Sequence, residues 1–164
     1  MHSSSDGANK KAQIDLNICT GCGECVGVCP EEAIPIDWGG NPGASQEKTA
    51  EYACGVVAGK EERCLYINFL TAIVPDCDCC DWSDRPMVPD LGYLVSTDPV
   101  AIDQASIDLV LQAPVASWMK TCEDPFLAAH PIDYRPILRH AANPGMGKRA
   151  YELINLESSD VGAG

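Results

Sequence analysis

The chain has 164 residues, 46% of them hydrophobic, enough for a core of ordinary size and consistent with one domain plus a small appended module. Its 24 acidic against 11 basic residues give a net charge of −13, which excludes the basic surface that DNA or RNA binding requires. The same acidity is common on electron carriers that dock on basic partners, but solubility is the better explanation of it.

The first thirteen residues, "MHSSSDGANKKAQ", are polar and lack the apolar run of a secretory signal, so residues 1–13 are predicted to form a flexible arm. The longest apolar stretch, "CLYINFLTAIVP", is broken by Asn68 and Thr71 and is too short to span a bilayer. A cytoplasmic protein without membrane insertion is expected. In that reducing compartment the ten cysteines are more plausible as metal ligands than as disulfides.

A small module at residues 14–46 is predicted around "CTGCGECVGVCP", residues 19–30. The spacing C-x2-C-x2-C-x3-C-P is that of ferredoxins with two [4Fe–4S] clusters, where three cysteines bind one cluster and the fourth reaches the other. Soft anionic thiolates suit iron–sulfur clusters, and Gly21 and Gly23 let the backbone approach and aim N–H groups at sulfur. Zinc is the competing metal, but its sites do not ordinarily show three cysteines at this spacing followed by C-P. The run occurs once, so Cys19, Cys22 and Cys25 need a fourth thiolate, and Cys29 is left over. After Pro30, "EEAIPIDW" reads as a turn and short strand, and "GGNPGASQ" as a loop.

Residues 47–157 read as a mixed α/β domain, so the fold class expected is α+β. "EKTAEYACGVVAGK" places Ala50, Ala53, Val56 and Val57 at helical spacing, with Gly59 as the stop. "CLYINFLTAIV" is β-branched and aromatic enough for a buried strand, and "MVPDLGYLVS" reads as a second one. Between them lies "PDCDCCDWSDRP". Three thiols in four residues would be an oxidation liability without a role, so Cys77, Cys79 and Cys80 are candidate ligands, with Cys77 and Cys79 pointing the same way in an extended segment. Cys54 and Cys64 read as small packed residues, and Cys122 as a free thiol.

The strongest helix start is "STDPVAIDQASIDLVLQA", with Asp98 as cap, Pro99 at the first helical position, and Ile102, Ala105 and Leu109 on the buried face. Asp103 and Asp108 lie about 140° apart around its axis, which suits solvation better than acid–base chemistry. "YRPILRHAA" and "GKRAYELINL" are predicted as short helices on either side of "NPGMG", with a flexible tail at 158–164. "PGMGK" lacks the full phosphate-loop spacing, and neither His130 nor His140 sits in a motif.

Three ligand schemes follow. One cluster uses Cys19, Cys22, Cys25 and a cysteine of the 77–80 loop; or Cys29 joins that loop, with Cys80, around a second centre; or Cys29 completes a cluster held by another polypeptide.

Taken together, "CTGCGECVGVCPEEAI", "EYACGVV", "YINFLTAIVPDCDC", "PMVPDLGYLVSTDPVAIDQASIDLV" and "GKRAYELI" resemble, over residues 13–157, the C-terminal half of the iron–sulfur proteins of the domain of unknown function 362 family. The cysteine run alone is generic to ferredoxins, whereas "PDCDC" followed by "VSTDPVAIDQA" is specific. The resemblance implies a [4Fe–4S] protein, Cys19, Cys22, Cys25 and Cys29 as ferredoxin-type ligands, and Cys77 and Cys79 as the family's C-x-C, with Cys80 additional. It also implies an α/β half ahead of the cluster module, which this chain lacks, so a fragment or a split protein is expected. Such a chain would work as a subunit, homo- or hetero-oligomeric, beside redox enzyme subunits or a chain carrying the missing half.

The function expected is single-electron transfer to or from a larger redox enzyme, with no catalytic residue in this chain. Two rivals stand beside it: an enzyme or metal-centre maturation factor using the 77–80 loop as an open metal site, and a cluster that only holds a subunit interface together.

Overall fold

A computed structural model describes residues 2–3, 12–15, 17–31, 33–34, 42–60, 63–76, 82–120 and 122–156, in two compact units, 1–40 and 41–164. In the first unit β1 (His2–Ser3) pairs antiparallel with β2 (Ala12–Gln13), so the two ends of the predicted arm meet in a two-residue ladder. A single helical turn, α1 (Glu24–Gly27), lies within the cysteine run. The strand expected in "EEAIPIDW" falls mainly on residues outside those described, as does the tail.

The second unit opens with α2 (Pro42–Val57), five residues earlier than the apolar spacing suggested. Proline at the first helical position sacrifices no hydrogen bond, so the helix can start at Pro42. At the other end Gly59 turns the chain with φ 74°, while Lys60 Nζ and Arg63 Nη2 donate to the carbonyls of Val56 (2.7 Å) and Gly59 (2.9 Å). Ala50 is buried against Val100, Leu138 and Ala141, whereas Val56 is exposed, contrary to its place in the predicted apolar stripe.

Two strands form the sheet, β3 (Tyr66–Leu70) and β4 (Gly92–Ser96), antiparallel with Asn68 opposite Leu94 and Phe69 opposite Tyr93. The long return between them is pinned by the N–H of Met87 on the Ile73 carbonyl (2.7 Å) and of Leu91 on the Leu70 carbonyl (2.8 Å). Ala72 takes φ 50°, and its N–H is met there by Asp90 Oδ1 at 2.8 Å. Among the described residues, only one face of this sheet is covered. The residue pattern suggests a buried strand, but α3 (Pro99–Gln112) packs on the side of Asn68, Leu70 and Leu94, leaving Ile67 and Phe69 exposed.

α3 (Pro99–Gln112) starts as predicted: Asp98 Oδ1 accepts from the N–H groups of Val100 and Ala101, both at 2.9 Å. Val100, Ala101, Ile102, Ala105 and Val110 are buried, and Asn68 Nδ2 reaches across from β3 to Asp103 Oδ1 (2.8 Å) and Ser106 Oγ (2.9 Å). The short α4 (Pro125–Ala129) was not anticipated; Asp124 caps it, accepting from Leu127 N–H at 3.1 Å. α5 (Arg135–Ala142) packs its Leu138 and Ala141 on α2 and α3, and His140 meets Glu51 at 3.2 Å.

No helix forms at 147–156. The segment runs instead as an extended strap along α3, with Lys148 N–H donating to Asp98 Oδ2 (2.9 Å), Arg149 Nε to Gln104 Oε1 (2.8 Å) and the Tyr151 hydroxyl to Asp108 Oδ2 (2.9 Å). Helices beside small two-stranded antiparallel sheets make this an α+β fold, as expected. No helix among the described residues is long and apolar enough to cross a membrane.

Candidate metal-binding cysteine loop

The cysteine run is shaped by local backbone chemistry. Asp15 starts it: its side chain accepts from Asn17 N–H (2.9 Å), and its carbonyl accepts from the N–H groups of Ile18 (3.2 Å) and Cys19 (2.9 Å). Gly21 and Gly23 then take φ 71° and 73°, the left-handed region that a residue with a Cβ enters at a cost. With the second of these turns the chain enters α1, which carries Cys25, and Cys29 follows one turn later with its N–H on the Val26 carbonyl (3.4 Å).

All four thiols are free, Cys19 and Cys22 exposed, Cys25 and Cys29 partly buried. Two of the thiols respond to nearby N–H groups. The Glu24 backbone N–H, with help from the Thr20 hydroxyl, lowers the pKa of Cys22. At Cys29, the Ala33 N–H donates to Sγ at 3.4 Å. Backbone N–H groups aimed at sulfur stabilise the thiolate, the form that ligates iron or zinc, so this donor set fits a thiolate-bound metal centre.

Among the described residues no three His, Cys, Asp or Glu side chains are gathered into a group that would hold a metal ion. Cys77, Cys79 and Cys80 lie outside those residues, so the three ligand schemes stand undivided. Cys54, Cys64 and Cys122 are free and partly buried. Asp98, Asp103 and Asp108 are engaged with backbone and side-chain donors, which gives each a structural role.

Sequence patterns did not single out what precedes the second cysteine cluster. His130 Nε2 lies 3.1 Å from Asp76 Oδ1 and 3.0 Å from the Pro75 carbonyl, so it clamps the two residues ahead of Cys77. Beside that contact is a cavity of about 380 Å³ lined by Val74, Met87, Phe126, Ile132 and Tyr134. A lone histidine 54 residues away in the chain carries no motif that would have marked it.

The model of the family described as Domain of unknown function (DUF362) matches residues 6–108. The chain belongs to this family. The DUF362 match takes in the whole cysteine run, the 77–80 cysteines and the Asp98-capped start of α3, and ends within that helix. No curated protein and no solved structure matches the chain.

Proposed function

We propose that this DUF362 chain is an iron–sulfur electron-transfer subunit, cytoplasmic, carrying at least one [4Fe–4S] cluster and passing single electrons to or from a larger redox enzyme. The observation that carries the reading is the C-x2-C-x2-C-x3-C-P run, wound through left-handed turns at Gly21 and Gly23, with the Ala33 N–H on Cys29 Sγ. Cys19, Cys22 and Cys25 would ligate the first cluster, and its fourth thiolate, like the part taken by Cys29, Cys77, Cys79 and Cys80, follows one of the three ligand schemes, within the chain or with another polypeptide. The cluster would supply one-electron redox chemistry; the protein's own contribution is to fix the thiolates and tune the potential through N–H···S hydrogen bonds.

A potentiometric titration of the anaerobically purified chain, followed by EPR, tests the function. An electron carrier gives a reversible one-electron couple, and weakening the N–H···S contacts around Cys22 shifts its potential. A cluster that stays silent across the physiological range, and whose loss abolishes assembly, would instead assign it a structural role at an interface. The second reading, an open metal site at the 77–80 loop, is favoured by the His130–Asp76 clamp and the adjoining apolar cavity. It predicts a metal with an exchangeable position, detected as a spectral change on adding cyanide or azide.

A further inference from the structure

Among the described residues, the outer face of the β3–β4 sheet is apolar and exposed. Register pairs Ile67 with Val95 and Phe69 with Tyr93, and all four side chains point away from α3, exposed by 50, 61, 67 and 65% respectively. Leu65, just before β3, is 64% exposed, and Thr97, just after β4, is exposed too. At the centre the Phe69 and Tyr93 rings meet edge to face at 5.1 Å. None of these six residues is charged, in a chain whose net charge is −13.

We propose that this face is a dimerisation surface, and that its occupant is the same face of a second copy of the chain. A sheet with one apolar face open gains by covering it, and two sheets stack face to face about 10 Å apart. With about 200 Å² for a fully exposed large side chain, the five apolar residues present roughly 600 Å² per copy. A two-fold pair that covered all of it would bury up to about 1,200 Å² in all, the lower end of the range for specific interfaces. A symmetric pair needs a self-complementary patch, which a flat face of alternating aromatic and aliphatic side chains provides. Charge points the same way: a basic partner has nothing to read on this face, whereas two acidic copies meet with least repulsion where neither carries charge.

The inference is independent of any cluster and is tested by sedimentation equilibrium on the full chain under reductant, so that exposed thiols do not cross-link copies. Wild type is expected to be dimeric at about 50 µM, and more so as salt screens the like charges. Phe69→Lys and Val95→Lys are both at positions more than half exposed and should keep the native circular dichroism spectrum. Each should weaken the dimer about tenfold or more, although each reduces the net negative charge. Leu156→Lys, on a strap residue that is 90% exposed, controls for the other apolar segment and should leave the dimer intact. A wild-type monomer at that concentration would overturn the proposal. So would a dimer that survives both sheet substitutions, or one that only Leu156→Lys disrupts.

Discussion

Asp98 does three jobs with one carboxylate. Its Oδ1 satisfies two of the orphan N–H groups at the start of α3, and its Oδ2 takes the Lys148 N–H, so the cap also fastens the strap. Asp98→Ala is expected to cost roughly 1–3 kcal/mol, from the lost cap plus a stranded N–H, and Asp98→Asn clearly less, as measured by urea denaturation. Gly147 is tied to the same carboxylate: a Cβ there would run into Asp98 and press on Val100. Gly147→Ala should therefore destabilise by about 1–3 kcal/mol and lower Tm by several degrees; an unchanged Tm would show that the strap yields freely. Tyr134 supplies a pH signature. Burial, then the hydrogen bond from its hydroxyl to Asp124 Oδ2 (2.9 Å), pushes its pKa up to about 12. A phenol harder to ionise when folded stabilises the protein fully below its unfolded pKa, about 10, and the benefit is lost as pH rises through about 12. Stability of the wild type should thus fall between pH 10 and 12 more steeply than that of Tyr134→Phe.

The elements show which signals in the chain were legible. The start of α3 was readable because Asp98–Pro99 is a local signal: cap and first-turn proline act within four residues, whatever lies elsewhere. The same signal stands at Asp124–Pro125, ahead of α4, but a five-residue helix offers no apolar period to reinforce it. The strap 147–156 misled for the opposite reason. Its sequence favours a helix, yet Asp98, Gln104 and Asp108 on α3 claim Lys148, Arg149 and Tyr151, and those partners are 43 to 50 residues away. Both strands were legible from composition, but the exposure of one face of the sheet was not, because it depends on which elements cover it. At the site, the cysteine spacing and the glycines were legible because the loop is local. The His130–Asp76 contact was not, since it joins residues 54 apart.

At the scale of the molecule, the unit that carries the 19–30 cysteine run and the α+β unit have different supports. The second unit holds the buried clusters around Val100 and around Val110, whereas none of the α1 residues is buried. Among the described residues of the first unit none is buried, so burial lends them little, and the proposed cluster would be their main source of order. Chelation or acid loss of the cluster should therefore disorder residues 19–30 while leaving the thermal transition of the α+β unit in place, which hydrogen exchange resolves segment by segment.

Iron at Cys19, Cys22 and Cys25 is what the proposed function requires, and the most direct test is iron and acid-labile sulfide per chain in anaerobically purified protein, read beside the EPR spectrum after dithionite reduction. About four irons and four sulfides with one fast-relaxing S = ½ signal are expected for one cluster, and about eight with coupling-broadened signals if Cys29 and the 77–80 cysteines hold a second. Substituting Cys22 by Ser should remove or alter the first signal. Protein that carries zinc, or that takes up no iron when reconstituted with iron and sulfide, would contradict the account.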